Sequence, residues 1–190
     1  MGLMICESPS HFAVYARDNK SQSSTVDIIS YAISECALGH VLVARAAAGV
    51  CAILIGTAED LEEDLAARFG KAGLVKNEAI VHDDLVKVIR FVDRPAEGLE
   101  LPLDLRGTPF QRRVWEKLRA IPLGRTVTYL ELARWVGPLT SARAVASACA
   151  ANPIALAVPC HRVVRSNGDL ANYRWGVERK RELIRKEAVA

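Results

Sequence analysis

A segment that disfavours regular structure, residues 93–106, divides the chain into two parts of opposite charge. Its breaking residues are Pro95, Gly98 and Pro102. Residues 1–103 hold 9 Lys/Arg and 15 Asp/Glu, whereas residues 104–190 hold 16 and 7. We therefore expect an acidic support domain over residues 25–95 and a basic domain over residues 104–190. A basic face of this kind indicates a polyanionic partner, most commonly nucleic acid.

Three short runs of apolar and β-branched residues precede two amphipathic segments in the first part. Glycine-containing turn signals separate the runs, which predicts a three-stranded antiparallel meander. The two following segments repeat apolar residues at helical spacing. The predicted strands are Ile28–Ile33, Val41–Ala44 and Val50–Ile55, and the predicted helices are Ala58–Phe69 and Glu78–Val92.

Capping residues and breakers delimit four helices in the second part. Thr108 and Gln111 flank Pro109 in the pattern of a capping box, and Thr140 or Ser141 can cap a later helix. The second and third helices are short and joined by a tight glycine-containing turn, which is typical of a helix-turn-helix. The predicted helices are Pro109 to about Ile121, Thr128–Trp135, Ala142–Ala151 and Gly176–Glu187.

Two of these helices have compositions that bear on DNA binding. The small side chains of Ala142–Ala151 would let that helix approach a DNA groove, although close packing in a core explains the same composition. The last helix carries a dense row of cations that we expect to face solvent and to reach phosphates. They are Arg179, Lys180, Arg181, Arg185 and Lys186, with Arg174 just ahead.

Cysteine and histidine usage argues against disulfides and metals. The five cysteines are odd in number and form no CxxC pair, and the four histidines have no HxH or HxxxH spacing. We therefore expect no metal and no cofactor, and a reducing compartment, the cytoplasm. No signal peptide or membrane-spanning segment is predicted, so we expect no membrane partner. Residues 1–24 are polar and are expected to form a loose arm.

Cys160 and His161 form the most suggestive pair of side chains. A thiolate is a nucleophile, and a neighbouring imidazole can take the thiol proton. On a regular strand, however, adjacent side chains point to opposite faces, so Pro159 would have to bend the chain. A buried structural cysteine is the competing interpretation.

The sequence around this pair resembles the O6-alkylguanine-DNA alkyltransferases, also called methylated-DNA–protein-cysteine methyltransferases. The carrying motifs are Pro159-Cys160-His161-Arg162-Val163, Arg143 to Asn152, and Asn172-Tyr173-Arg174-Trp175-Gly176. The resemblance extends from about Tyr31 to Glu187, and it is strongest to the bacterial adaptive-response branch. Residues 1–30 contain only Cys6, so the four-cysteine zinc module of that branch, with its regulatory activity, is not expected.

The resemblance implies a chemical role for four residues. Cys160 matches the alkyl acceptor, and His161 matches the base that takes its proton through water. Glu187 matches the acid that orients this histidine, and Tyr129 matches the tyrosine that assists departure of the guanine.

The resemblance also implies DNA contacts and a pocket for the extruded base. Arg143 matches the arginine that fills the gap left by that base, and Asn152 matches the asparagine at the turn after the recognition helix. The backbone carbonyl of Val163 matches one that reads the guanine amino group. The implied DNA contacts are Arg143, Ala144, Ser147, Ala148, Asn152 and Arg162, and the implied base pocket comprises Val163, Tyr173 and Arg174.

The resemblance therefore implies direct-reversal repair by a monomer that acts on double-stranded DNA. The alkyl group of O6-alkylguanine, and of O4-alkylthymine, would pass to Cys160, once per protein molecule. The implied fold is α/β, with a ribonuclease-H-like small antiparallel sheet and helices, then a helical winged-helix-like domain containing the helix-turn-helix.

Three other functions compete with this one: a non-catalytic lesion-binding protein, a helix-turn-helix regulator and a cysteine hydrolase. The first would lack Cys160, the second would not need Cys160, His161 and Glu187 together, and the third would have no reason for a basic face. Two departures from the family bear on DNA affinity and lesion breadth: Pro138-Leu139-Thr140 in the turn, and Ala171-Asn172 at the pocket rim.

Overall fold

The structure is a computed structural model that describes residues 27–190. The predicted loose arm lies outside the described residues. The first part forms an antiparallel meander of β1 (Ile28–Cys36), β2 (Gly39–Ala46) and β3 (Gly49–Gly56). Gly39 and Gly49 begin β2 and β3 with φ of 103° and 143°, a region that favours glycine. This part of the sequence-based prediction is confirmed.

A fourth strand corrects the prediction of a wholly antiparallel sheet. The chain leaves β3, forms α1 (Ala58–Phe69) and returns as β4 (Gly73–Lys76), which pairs parallel with β1. The sheet order is therefore β3-β2-β1-β4. β4 has four residues and no buried side chain, so it lacks the alternating apolar pattern that marks a strand. α2 (Glu78–Asp93) follows and packs against β1 and β2.

The second part contains four helices, as predicted. They are α3 (Pro109–Arg119), α4 (Tyr129–Val136), α5 (Ala142–Ala150) and α6 (Val177–Ala188). Reciprocal capping boxes begin α3 at Thr108 and α4 at Thr128, and Ser141 caps α5 through the amide of Ala144. Two short parallel strands, β5 (Val127–Thr128) and β6 (Val163–Val164), join the start of α4 to the segment that follows Cys160.

The edge strand β3 connects the two parts of the chain. Its Ile53 donates to the carbonyl of Pro153 at 2.9 Å and accepts from the amide of Ala155 at 2.9 Å. Val50 makes an equivalent pair of bonds with Pro102 and Asp104, at 2.8 and 2.9 Å. One continuous hydrophobic core spans both parts. The segment leading to Cys160 is thus built onto the first sheet.

Among residues 27–190, every helix is too short or too polar to cross a lipid bilayer.

Candidate active site

Cys160 and His161 lie on a single tight turn, Cys160–Arg162, that begins at Pro159. The amide of Arg162 donates to the carbonyl of Pro159 at 3.0 Å, which closes the turn. Because the backbone turns here, the two side chains need not point in opposite directions as they would on a strand. Cys160 is 5% exposed and His161 is fully buried. The predicted bend at Pro159 is thus present.

Asn152 holds the segment that carries this turn. Its side-chain oxygen accepts from the amide of Ile154 at 2.9 Å, and its Nδ2 donates to the carbonyl of Val158 at 2.8 Å. The same Nδ2 lies 3.3 Å from Cys160 Sγ. Asn152 itself is fully buried, so its side chain positions the thiol from inside the protein. A direct DNA contact through its side chain has no support in this geometry.

Glu187, in the last turn of α6, joins His161 and Arg162 in one buried cluster. His161 Nε2 lies 2.8 Å from Glu187 Oε1, and Arg162 Nε donates to Oε2 at 2.8 Å. Arg162 also bonds Oε1 at 3.0 Å and the carbonyl of Ile121 at 2.6 Å. The guanidinium is therefore committed inside the protein. Arg162 is a positioning residue in this structure, and its predicted DNA contact is not supported.

The protonation of this cluster leaves His161 ready to accept a proton. Burial opposes ionisation of Glu187, but hydrogen bonds from His161 and Arg162 outweigh it and lower the pKa of Glu187 to about 2. An ionised carboxylate can only accept, so the His161 proton resides on Nε2. Burial lowers the pKa of His161 against the opposing effect of Glu187, which keeps the imidazole neutral. Nδ1 then carries a free lone pair; it is buried without a protein hydrogen-bond partner among the described residues.

Lys180 is a buried cation whose charge acts on the Cys160 thiol, although the sequence predicted it to lie on the surface. It was predicted to face solvent, but its side chain is fully buried and its Nζ donates to the carbonyls of Val163, at 2.5 Å, and Leu170. Burial lowers its pKa to about 8, so it remains mostly cationic at pH 7. The helical spacing contained the signal: Lys180 and Glu187 lie on the same face of α6 as the buried Leu183.

The Cys160 thiol is protonated at rest. Burial raises its pKa, and the Asn152 hydrogen bond and the Lys180 charge oppose this effect only in part. The nucleophile must therefore lose its proton when it reacts, and a nearby neutral base serves that purpose.

A cavity of about 270 Å³ opens onto Cys160. Tyr129 lines it, and burial raises the pKa of Tyr129 to about 12, so the phenol keeps its proton. The Tyr173 hydroxyl is buried there without a protein partner among the described residues. A planar group entering the cavity would meet the residue of the thiol and two tyrosines among its lining. The complete lining is Tyr129, Ala146, Cys149, Ala150, Cys160, Asn172, Tyr173 and Arg174.

The predicted DNA-contact residues divide between the surface and the core. Arg143 and Ser147 are exposed on α5, and Ala144 is half-buried. Ala148 is buried, and its carbonyl accepts from the Trp115 indole at 2.9 Å, so its predicted DNA contact is not supported. Val163 is also buried, and its carbonyl already accepts from Lys180.

Comparison with known proteins assigns the second part of the chain to a named domain. The family described as "6-O-methylguanine DNA methyltransferase, DNA binding domain" matches residues 109–189. The Escherichia coli protein named bifunctional transcriptional activator/DNA repair enzyme Ada is 46% identical over 161 residues, which are 84% of this chain and 46% of that protein. A Salmonella typhimurium methylated-DNA–protein-cysteine methyltransferase is 54% identical over 81 residues, 43% of this chain and 47% of that protein. The chain thus spans about half the length of these named relatives.

Solved structures agree over most of the chain. A Mycobacterium tuberculosis O6-methylguanine methyltransferase superposes with a TM-score of 0.65 and 32% identity, covering 85% of this chain and 93% of that one. The M. tuberculosis OGT in complex with DNA gives a TM-score of 0.66 and 30% identity over 85% and 93%. The α/β fold, with a small sheet and helices, is therefore that of these proteins. The chain belongs to the methylated-DNA–protein-cysteine methyltransferase family.

Proposed function

We propose that this protein repairs DNA by direct reversal, moving an alkyl group from O6-alkylguanine, and from O4-alkylthymine, to Cys160. The observation that carries the proposal is a buried thiol that lines a small cavity and shares one turn with a neutral imidazole, which an ionised carboxylate holds. A structural cysteine would not need such a cavity or such a base.

The proposed reaction is a displacement at the alkyl carbon. His161 Nδ1 takes the thiol proton through an intervening water, and the sulfur forms a bond to that carbon. The bond from carbon to O6 breaks, and its electron pair stays on the base. The Tyr129 hydroxyl, which retains its proton, assists the departing base by hydrogen bonding. Water delivers a proton to the departing base, and His161 returns the proton from Cys160 to the solvent, so guanine leaves neutral and no net proton is consumed.

The product on Cys160 is a thioether. A thioether is not hydrolysed in neutral water, so each protein molecule acts once. A cysteine hydrolase would instead form a thioester and turn over.

We propose that α4, the turn at Gly137 and α5 form a helix-turn-helix that presents the lesion to this cavity. The reactive carbon lies inside a duplex, so the nucleotide must be flipped out. Arg143, exposed in the first turn of α5, is positioned to fill the resulting gap. We further propose a ribonuclease-H-like support domain over residues 25–95 and a winged-helix-like domain over residues 104–190. The protein is proposed to act as a monomer.

The distribution of ion pairs favours the surface of α3–α5, rather than that of α6, as the DNA-binding surface. In α6, Arg181 and Arg185 pair with Glu178 and Glu182 one turn away, while Lys186 donates to the carbonyl of Val92 at 2.9 Å. On α3–α5 the exposed cations form no ion pair with another described residue, which leaves them available for phosphates. They are Arg112, Arg113, Lys117, Arg119, Arg134 and Arg143.

A cytoplasmic location stays a prediction. The thiols of Cys36, Cys51, Cys149 and Cys160 are free, in keeping with a reducing compartment.

The test is intact-protein mass spectrometry after mixing with a duplex oligonucleotide that contains one O6-methylguanine. We expect the protein mass to rise by one methyl group in place of hydrogen, with one lesion consumed per protein molecule. The Cys160→Ala variant is the control and should bind the duplex without gaining mass. Multiple turnovers, or an unmodified wild-type protein, would contradict the proposal.

A further inference from the structure

Arg174 forms the wall between two cavities. It lines the cavity of about 270 Å³ that Cys160 also lines. It also lines a neighbouring cleft of about 680 Å³, whose other walls include α1 and Trp175. Arg174 is the residue that the two linings share, so we expect the position of its side chain to affect whether the two spaces are separate or continuous.

Asp64, on α1, holds Arg174 in that position. Its carboxylate accepts from Arg174 Nη2, and Arg174 Nε lies 3.4 Å from the second oxygen. Arg68 donates to the same carboxylate at 3.2 Å and reaches the carbonyl of Ala151, just after α5, at 3.5 Å. Asp64 thus connects the first part of the chain both to the rim of the cavity and to the end of α5.

The rim is sparsely bonded: between Ala171 and Gly176 the backbone makes one main-chain hydrogen bond, from the Gly176 amide to the Tyr173 carbonyl at 3.0 Å. Ala171 has a φ of 58° and Gly176 a φ of 97°, so the segment between them enters and leaves through left-handed conformations. The side chain of Arg174 is 41% exposed, and free arginine side chains sample many rotamers. We therefore expect Arg174 to lose its fixed position when the Asp64 carboxylate is removed.

We propose that Asp64 is a specificity-determining residue: by holding Arg174 as a wall, it limits the size of the alkyl group that can be transferred. The inference rests on the proposed alkyl-transfer function. A cavity of about 270 Å³ is at the small end of ligand pockets, so it suits a flat base with a small substituent. A bulky substituent needs space that lies beyond Arg174. Asp64 contacts no reacting atom, so it is a positioning residue.

The experiment compares single-turnover rates for O6-methylguanine and O6-benzylguanine in the same oligonucleotide. In Asp64→Ala the benzyl-to-methyl rate ratio should rise about tenfold, the usual scale of discrimination by pocket size. The methyl rate should stay within about threefold of wild type, because a partly exposed ion pair contributes little on its own. Asp64→Glu, which keeps the carboxylate, should restore a ratio close to wild type.

Two variants separate this effect from general loosening of the fold. Glu63→Gln removes a charge from the same cleft without touching Arg174, and Arg68→Gln removes the other partner of Asp64. Both should keep the wild-type ratio. Thermal melting shows which variants are folded. If Asp64→Ala does not fold, Asp64→Asn provides the same comparison, because it removes the charge and keeps the shape of the side chain.

The outcomes are distinct. A wild-type ratio in a folded, methyl-transferring Asp64 variant would overturn this inference and leave the proposed function standing. A parallel fall in both rates would also overturn it, because it would show that Asp64 only supports the fold. Absence of methyl transfer by the wild-type protein would overturn the proposed function, and this inference with it.

Discussion

At the residue scale, the site depends on a buried ion cluster that fixes one proton. Glu187 accepts from His161 and Arg162, and its ionised state forces the His161 proton onto Nε2. Nδ1 of His161 is left with a free lone pair and is buried without a partner among the described residues. The chemical identity of the three residues follows from this arrangement, since an amide at position 187 would not enforce the tautomer.

We therefore predict that His161 and Glu187 act as a unit. His161→Ala and Glu187→Gln should each slow transfer about a hundredfold, the usual contribution of a positioned base. The double variant should be little slower than the slower single variant, because such networks are not additive. Single-turnover rates measured well below each variant's melting temperature provide the test. Multiplicative losses in the double variant would show that the two side chains act separately.

The pH dependence follows from the same cluster. His161 has a pKa below its ordinary 6.5, so transfer should fall only when the pH drops below 6.5 and passes through that lowered pKa, as the imidazole protonates. For stability, the unfolded state takes up this proton first, so the His161 contribution is present above pH 6.5 and lost as the pH falls. The Glu187 contribution is present above 4.5 and lost towards about 2. Transfer rates and urea-unfolding free energies measured as a function of pH test both expectations. A transfer rate that peaks below pH 6 would contradict the role of neutral His161.

At the element scale, we expect the surface of α3–α5, rather than α6, to present cations to DNA, with Arg143 the cation of α5. We predict that Arg143→Ala slows repair in duplex DNA about tenfold but changes reaction with the free base O6-methylguanine by less than about twofold, since a free base needs no flipping. Arg181→Ala is the matched control, because Arg181 is paired with Glu178 on α6. The duplex-to-free-base rate ratio is the measured quantity. An unchanged ratio in Arg143→Ala would mean that another side chain supports the flipped state.

The turn between α3 and β5 contacts the end of α6. Gly124 has a φ of 71°, and a Cβ placed there would lie 2.9 Å from the carbonyl oxygen of Glu187. Gly168 has a similar φ of 86° with no atom within 4 Å of its Cβ position. We predict that Gly124→Ala and Gly168→Ala each lose about 1 kcal/mol from backbone strain, and that only Gly124→Ala also slows transfer by displacing Glu187. Equal transfer rates in the two variants would contradict this.

At the scale of the whole molecule, the two parts of the chain form one structural unit around β3. The bonds between Ile53 and the 153–155 segment place the cysteine-bearing segment on the edge of the first sheet. The support domain therefore helps to position the thiol, in addition to limiting the base cavity through Asp64.

Native-state hydrogen exchange tests this unity. The amides of Ile53 and Ala155 should exchange with the same free energy of opening as Leu42, in the central strand β2. The two parts would then unfold together. Faster exchange at Ile53 and Ala155 than at Leu42 would show that the second part detaches from the sheet before the first part unfolds.

Local signals in the sequence predicted most of the helices and strands. The motif around Cys160 and His161 predicted the position of the site. The capping patterns at Thr108, Thr128 and Ser141 placed helices accurately, because caps depend on neighbouring residues. β4 was missed because its pairing with β1 is long-range and its side chains are not buried.

The errors at the site have the same physical origin. Lys180 was assigned to the surface because lysine is rarely fully buried, yet it donates to two carbonyls there. Arg162 was assigned to DNA through the resemblance, and no local pattern reveals its partner Glu187, which lies 25 residues away. The Asp64–Arg174 contact joins residues 110 positions apart, which no local pattern encodes.

The central claim is that Cys160 alone accepts the alkyl group, and peptide mapping of the protein after reaction with methylated duplex DNA tests it most directly. Cys149 is a demanding internal control, because it lines the same cavity and is also a free thiol. Burial raises the pKa of both thiols, but only Cys160 has the Asn152 contact and the adjacent His161–Glu187 pair. We predict a methyl group on the Cys160 peptide and none on the Cys149 peptide. Methylation of Cys149, or of neither cysteine, would contradict the account.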